Sequence, residues 1–194
     1  MKLRSTELPG VMIVEPTVFG DDRGWFLESF NESRWLAALA EAGQALPRRF
    51  VQDNHSCSQA GVLRGLHYQL SPHAQGKLVR VVQGAAYDVA VDIRRGSPTF
   101  GRSSGHRLDA VNRLQLWIPE GFAHGFMALT DDTHFLYKTT DVYSRECERS
   151  IRWDDPELAI RWPDLGQAPK LAPKDSAAPC LVDADLPAWQ NATP

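Results

Sequence analysis

The chain has 194 residues and a mass of 21.7 kDa, with the 43% hydrophobic and 23% charged content of an ordinary globular protein. We expect residues 1–194 to form a single domain, with its core at about 11–163 and a segment at 164–194 that wraps around it. The net charge of -3 favours neither nucleic acid nor an anionic membrane as a partner, so any anionic ligand needs a local basic cluster.

The first predicted elements are short strands followed by a helix. Residues 11–28 carry β-forming side chains on both sides of a polar, glycine-containing turn at 20–24. Residues 31–42 are predicted to form a helix that Asn31 caps and Gly43 ends. Its apolar face would carry Trp35, Leu36 and Leu39.

From about residue 47 to 162, short strands are separated by turn signals at 61, 71–72, 84, 96–98, 119–121 and 131–132. Such spacing is typical of a sandwich or barrel rather than of alternating strands and helices. Residues 78–93 are apolar on both strand faces, so we expect two stacked sheets with both faces covered. The sequence predicts an all-β jelly-roll barrel with a short N-terminal helix and a proline-rich C-terminal tail, in which 176–186 could form a short helix.

The sequence gives no sign of disulfides or of a membrane span. The three cysteines, Cys57, Cys147 and Cys180, are widely spaced without a CxxC pair, which indicates structural thiols rather than zinc or redox chemistry. The N-terminus lacks a signal-peptide apolar region, and no run approaches the roughly 18 apolar residues of a membrane span. We therefore predict a cytoplasmic protein.

Ionisable and amide side chains interrupt the apolar strands at residues 52–56, 64–69 and 75–77, where a ligand would explain buried charge. In barrels of the cupin kind, a metal site is usually indicated by two histidines two positions apart, followed by a carboxylate and then by a later histidine. Here Gln69 stands two positions after His67, and Gln75 and Lys77 stand where the carboxylate is expected. A cation at Lys77 would repel a metal, so we predict no metal and no cofactor.

Acid–base chemistry is the remaining interpretation of this cluster. Histidine has the pKa nearest to physiological pH, and lysine or arginine can stabilise an oxyanion, so His67, Lys77 and Arg64 have suitable chemistry. Arg64 and His67 would face opposite sides of a regular strand because they are three residues apart. A bulge at Gly65 would turn one of them to the same side.

Two further polar residues each have two interpretations. His124 interrupts an apolar run between glycines, where it is either a hydrogen-bonded core histidine or a ligand contact. Tyr137 is either a barrel filler with a bonded hydroxyl or a proton donor. The residues alone leave both questions open.

The chain resembles the dTDP-4-dehydrorhamnose 3,5-epimerase family along nearly its whole length. The matching segments are VFGDDRG at 18–24, VQDNHS at 51–56, VLRGLHYQ at 62–69, QGKLVR at 75–80, DVAVDIR at 88–94, SPTFG at 97–101, LWIPEGFAHGF at 116–126 and IRWP at 160–163. The resemblance implies a metal-free, dimeric, cupin-type jelly roll that acts on a dTDP-linked 4-keto-6-deoxyhexose in the pathway to dTDP-L-rhamnose. The C4 ketone acidifies the hydrogens on C3 and C5. One base, and one cation that stabilises the oxyanion (the oxyanion clamp), can therefore serve both carbons.

The same resemblance assigns roles to individual residues. His67 matches the base, Tyr137 the acid that returns a proton, Asp175 the carboxylate that orients the histidine, and Lys77 the group that stabilises the enolate at O4. The positions that match residues holding the sugar and the diphosphate are Arg23, Glu28, Gln52, Asp53, Asn54, Arg64, His124, Glu148 and Lys174.

In this family the partner subunit tends to supply the loop with Arg23 and Glu28, so the resemblance implies a shared site in a homodimer. This chain departs from the family pattern in three places. Ala172 replaces a common serine, Val142 replaces a common aromatic beside Tyr143, and the tail is longer, ending at 189–194.

Two alternative functions remain. One is an enzyme that inverts only C3 or only C5 of another nucleotide deoxysugar, against which Tyr137 argues because a second inversion needs an acid on the opposite face. The other is a catalytically silent sugar-nucleotide-binding barrel. The presence of His67, Asp175, Lys77 and Tyr137 together argues against that, because a pure binder needs no base with an orienting acid.

Overall fold

The computed structural model describes residues 1–188, which form mostly β-strands. The strands are β1 (Lys2–Ser5), β2 (Met12–Glu15), β3 (Val18–Asp21), β4 (Gly24–Leu27), β5 (Gln52–Ser58), β6 (Leu63–Gln69), β7 (Lys77–Gln83), β8 (Ala85–Asp92), β9 (Ser103–Asp109), β10 (Gln115–Ile118), β11 (Phe122–Ala128), β12 (Thr133–Thr139) and β13 (Glu148–Ser150). The helices are α1 (Glu32–Glu41) and α2 (Pro173–Ser176), followed by a 3-10 turn at Leu181–Asp183. None of the helices in residues 1–188 has the length and apolar character that a membrane crossing requires.

Two antiparallel sheets build the barrel. The first sheet has six strands in the order β1-β2-β10-β7-β12-β5, and the second has five in the order β13-β6-β11-β8-β9. Strands β3 and β4 form a separate hairpin whose turn is Asp22-Arg23. The turn signals predicted between residues 61 and 132 all fall between consecutive strands. The predicted all-β jelly roll is confirmed.

Apolar side chains cover both faces of the sheets, as expected. Between the sheets, Phe126 of β11 stacks on Phe135 of β12 with ring centroids 3.9 Å apart. Helix α1 covers the outer face of the first sheet, where Trp35 meets Trp117 edge-on at 5.4 Å. The helix begins as predicted, because the Asn31 side chain accepts a hydrogen bond from the backbone N–H of Arg34.

The C-terminal segment packs more tightly than its composition predicts. Leu181 and Ala184 are buried against the outer face of the second sheet. The helix expected at 176–186 was wrong, because the chain is helical at Pro173–Ser176, where Pro173 suits the first turn, and a 3-10 turn follows. The predicted strands end at Ser150 rather than near 162, and β1 was not predicted. The prediction of a longer tail at 189–194 lies outside the described residues.

The predicted bulge occurs in β6. His67 lies opposite His124 and Arg64 lies opposite Phe126, so β6 holds one more residue than β11 over this interval. Gly65 takes a φ of +134°, and a Cβ there would lie 2.5 Å from Gly125 Cα, so only glycine fits. The bulge brings Arg64 and His67 to the same cavity.

Candidate active site

A cavity of about 420 Å³ opens between the two sheets at one end of the barrel. The first sheet contributes side chains from β5, β7 and β12, the second from β6, β11 and β13, and the segment around α2 closes one side. Its lining residues are Asn54, His55, Ser56, Arg64, His67, Lys77, His124, Phe126, Tyr137, Tyr143, Glu148, Ala172, Lys174 and Asp175.

A histidine–carboxylate pair lies in this cavity. His67 Nε2 is 2.6 Å from Asp175 Oδ1, although the two residues are 108 positions apart in sequence. The Asp175 side chain is 2% exposed and that of His67 is 23% exposed. Because an ionised carboxylate only accepts hydrogen bonds, Asp175 favours the tautomer with the proton on Nε2. The lone pair on Nδ1 is then available to take a proton.

The C-terminal segment delivers Asp175 to the barrel. Lys170 lies beside Val62, where the Leu63 N–H donates to the Lys170 carbonyl at 3.0 Å. This contact sets α2 against β6, the strand that carries His67. Ala172 stands at the N-cap of α2, where its side chain makes no capping hydrogen bond.

Lys77 is a buried cation that contacts the backbone of His67. Its side chain enters from β7, and Nζ donates to the His67 carbonyl at 3.2 Å. Burial lowers the pKa of Lys77 to about 8, while the charges of Asp88 and Glu148 act in the opposite direction. The ammonium therefore remains charged at neutral pH with N–H groups available to an oxyanion.

Tyr137 lies on the opposite sheet from His67. In the sheet register it is paired with Asn54, and both line the cavity. Burial raises the pKa of Tyr137, while the charges of Lys174 and Arg64 lower it, so the phenol is protonated at neutral pH. Asn54 Nδ2 and Ser56 Oγ are buried in the cavity wall without hydrogen-bond partners among the described residues. They are free to bond a ligand.

A polar network forms the rim of the cavity. Glu148 Oε1 accepts a hydrogen bond from Lys174 Nζ at 2.8 Å, and Oε2 accepts one from the Tyr143 hydroxyl at 3.0 Å. Burial raises the pKa of Glu148, but its bonds to Lys174 and Tyr143 outweigh burial and hold the pKa below its usual value. Arg64 adds a second cation, and its Nε donates to Ser58 Oγ at 3.2 Å. The two cations suit an anionic group such as a diphosphate.

His124 forms a second histidine–carboxylate pair. Its Nε2 is 2.8 Å from Asp88 Oδ2, and the two side chains are 8% and 0% exposed. Burial lowers the pKa of His124 more than Asp88 raises it, so the imidazole is neutral near pH 7. His124 is thus a hydrogen-bonded core histidine that also lines the cavity, and its contact with a ligand stays a prediction.

Four of the predicted binding residues do not line the cavity of this chain. Gln52 lies behind the wall, where its Nε2 donates to Asn54 Oδ1 at 2.9 Å. Asp53 faces outward, because side chains alternate along β5, and pairs with Lys138 at 2.7 Å. This geometry does not support the prediction that Asp53 contacts a ligand in the cavity. Arg23 and Glu28 belong to the β3–β4 hairpin and its exit, where they pair with Asp21 and Arg34 respectively.

The sequence reasoning missed several residues of the site. Ser56 and Phe126 line the cavity, two positions after Asn54 and His124 respectively. Residues two apart on a strand face the same side, so the sequence could have indicated both. Asp88 pairs with the cavity residue His124, and its carboxylate within an apolar run is a signal of function in the sequence. Within residues 1–188, no three His, Cys, Asp or Glu side chains are grouped as metal ligands.

The arrangement defines a class of chemistry. A base on one sheet and a phenol on the other can remove a proton from one face of a bound carbon acid and return one to the opposite face. A buried ammonium between them can stabilise the intermediate oxyanion. These are the requirements of an epimerase.

Comparison with known proteins gives the family. The model of the dTDP-4-dehydrorhamnose 3,5-epimerase family matches residues 5–183. An enzyme of that name from Shigella flexneri is 55% identical over 185 residues, covering 95% of this chain and 98% of the relative. The chain belongs to this family of isomerases.

Two solved structures are also similar. The dTDP-6-deoxy-D-glucose-3,5-epimerase of Legionella pneumophila in complex with dTDP-4-keto-L-rhamnose is 50% identical with a TM-score of 0.91, covering 97% of this chain and 98% of that one. A 3'-monoepimerase of Streptomyces bikiniensis in complex with dTDP-quinovose is 35% identical with a TM-score of 0.81, covering 91% and 86%. The fold thus accompanies both double and single epimerisation.

Proposed function

We propose that this chain inverts C3 and C5 of dTDP-4-dehydro-6-deoxy-D-glucose to give dTDP-4-dehydro-L-rhamnose, in dTDP-L-rhamnose biosynthesis. The observation that carries the proposal is the contact of 2.6 Å between His67 and Asp175 in a cavity that Tyr137 lines from the opposite sheet. Family membership supports the substrate class, and the Legionella relative binds the corresponding product.

In the proposed mechanism each group has one step. His67, oriented by Asp175, removes the proton on the carbon next to the C4 ketone. Lys77 stabilises the negative charge that develops on the ketone oxygen, and Tyr137 returns a proton from the opposite face. Before the second inversion, His67 releases its proton to solvent and Tyr137 regains one from solvent. When the sugar ring then turns so that the second carbon next to the ketone faces His67, the same two groups can invert it. Arg64 and Lys174 would hold the diphosphate.

Double inversion is favoured over single inversion by similarity. Identity is 55% with the Shigella 3,5-epimerase but 35% with the Streptomyces 3'-monoepimerase. The single-centre enzyme remains the second candidate because it shares the fold.

The stereochemistry of the product tests the proposal. We would incubate the purified protein with dTDP-4-keto-6-deoxyglucose in the presence of a strong chelator and measure the proton coupling constants of the product sugar by NMR. Couplings for inversion at both carbons are expected, with undiminished turnover. Inversion at one carbon would select the second candidate, no conversion would reject the enzyme, and a requirement for added metal would contradict the metal-free mechanism.

The pH dependence of kcat/KM should reflect the protonation of Lys77. Its clamp needs the ammonium, which is present below the pKa of about 8 and lost as the pH rises through that value. We therefore expect kcat/KM to fall on the alkaline side with a midpoint near 8. In Lys77→Arg, whatever activity remains should lack this limb because arginine stays charged. An unchanged limb in that variant would assign it to another group.

Asp175→Asn should lower kcat by about 10²- to 10⁴-fold, the range known for carboxylates that orient a catalytic histidine. The amide keeps the shape of the side chain but can donate to Nε2 and favour the wrong tautomer. Steady-state kinetics would give the effect, and circular dichroism would verify the fold. Activity within a few-fold of the unsubstituted enzyme would remove Asp175 from the mechanism.

We further propose that the protein is a homodimer in which the partner's hairpin completes each site. The β3–β4 hairpin exposes large apolar side chains that a monomer would normally bury: Phe19 is 62% exposed, Trp25 58% and Phe26 68%. Strand β5, which lines the cavity, is an edge strand of the first sheet. Arg23 is 89% exposed and does not line the cavity of its own chain.

Mixed dimers test the shared site. Arg23→Ala and His67→Ala chains should each be weakly active or inactive alone. When the two are co-expressed, a heterodimer has one site with both residues intact, so about a quarter of full activity should return for random pairing. Activity no higher than the mean of the separate variants would mean that Arg23 acts within its own chain.

A cytoplasmic location is also proposed. Cys57, Cys147 and Cys180 are all unpaired, as expected in a reducing compartment.

A further inference from the structure

A buried carboxylate lies behind the cavity. Asp88 is 0% exposed and belongs to β8, in the interior of the second sheet. Its Oδ2 pairs with His124 Nε2 at 2.8 Å, but Oδ1 is buried without a hydrogen-bond partner among the described residues. An ionised carboxylate in such a place is unfavourable unless a positive charge compensates it. The neutral His124 does not supply that charge.

Lys77 is a buried cation whose positive charge can compensate the Asp88 carboxylate. No carboxylate lies within 4.0 Å of its ammonium among residues 1–188, and the hydrogen bond recorded for Nζ goes to the His67 carbonyl. Among the surrounding charges, Asp88 raises the pKa of Lys77 most, followed by Glu148, while Lys174 lowers it. The two buried charges thus stabilise each other without direct contact.

The separation between the Lys77 ammonium and the Asp88 carboxylate has a chemical consequence. An ammonium has three N–H groups, and a direct salt bridge to a carboxylate would occupy at least one of them. Attraction from a carboxylate that does not contact the ammonium favours the charged form and leaves for a substrate oxygen the N–H groups that do not bond the His67 carbonyl.

We propose that Asp88 is a positioning residue that keeps Lys77 protonated and holds His124 in place, so that the Lys77 ammonium is charged and bound to no carboxylate when substrate binds. The proposal rests on the epimerase activity proposed above. Several other groups surround these two residues: His106 on β9 lies opposite Asp88, and the groups around Lys77 are His67, His124, Tyr137, Glu148 and Lys174.

Asp88→Asn tests the proposal because it removes the charge and keeps the shape. The alkaline limb of kcat/KM should move to lower pH by about one unit or more, the usual effect of a nearby charge. The rate at pH 8 should fall mainly through kcat. Asp92→Asn is the matched control, because Asp92 is equally buried on the same strand but bonds Arg94, Ser97 and Thr99 outside the cavity. It should leave the midpoint of the limb unchanged even if the fold is weakened.

A direct titration of Lys77 separates this inference from the proposed function, since it needs no turnover. With ε-¹³C-labelled lysine and Lys77→Arg to assign the signal, NMR should show Lys77 titrating near 8 in the unsubstituted protein. It should titrate at lower pH in Asp88→Asn. Equal titration in both proteins would overturn the proposal. If Asp88→Asn does not fold, titration of Lys77 below about pH 7 in the unsubstituted protein would overturn it as well, since the clamp would then be neutral at working pH.

Discussion

His67→Ala is expected to lower kcat by about 10³-fold or more, equivalent to about 4 kcal/mol of transition-state stabilisation. Exchange of the C3 and C5 hydrogens with solvent should be lost together, because one imidazole serves both carbons. The remaining groups still bind the substrate and polarise its ketone, so KM should change far less than kcat. NMR in deuterated water would follow the two hydrogens separately.

The control is His134→Ala. His134 bonds His55 at 3.0 Å through ring nitrogens, does not line the cavity, and should tolerate substitution without loss of exchange. If His67→Ala still exchanged both hydrogens at the unsubstituted rate, the base would have to be another residue. If exchange were lost at one carbon and kept at the other, two different bases would have to remove the two hydrogens.

Tyr137→Phe should also have a large effect, with a different pattern. The variant keeps the ring that packs near Phe135 but loses the proton that inversion needs. Product formation should fall by about 10²-fold or more, the usual contribution of a general acid. Exchange of the first hydrogen should fall much less, because His67 can return a proton to the face from which it took one.

Tyr87→Phe serves as the control, because Tyr87 packs against Trp162 outside the cavity. Its product formation should stay close to that of the unsubstituted enzyme. If Tyr137→Phe slowed exchange and product formation equally, the tyrosine would act in the first proton transfer or in binding, and the opposite-face acid would be a different group.

Local patterns in the sequence predict much of the fold. Turn residues separate the strands where expected, Asn31 caps α1, and the parity conflict between Arg64 and His67 correctly predicts the bulge at Gly65. These features depend on neighbouring residues, so a single sequence contains the information. Strand β1 escaped prediction because its stability comes from pairing with β2 rather than from its own polar composition.

The site depends more on distant contacts. Asp175 reaches His67 across 108 positions of sequence, which no local pattern encodes, and the family resemblance alone supplied that pair. Asp53 lies among cavity residues in sequence, but it is exposed and pairs with Lys138, so its role in binding stays a prediction. The division of the chain at residue 163 stays a prediction, although Leu181 and Ala184 pack against the barrel.

The position of deuterium in the product tests the central claim most directly, namely that the protons next to the ketone are removed and replaced from solvent and that both carbons are inverted. The unsubstituted protein would convert dTDP-4-keto-6-deoxyglucose in deuterated water, and NMR would locate the deuterium. We predict solvent-derived deuterium at both C3 and C5 of a doubly inverted sugar. A doubly inverted product without deuterium at one of these carbons, or a substrate recovered with neither hydrogen exchanged, would contradict the mechanism.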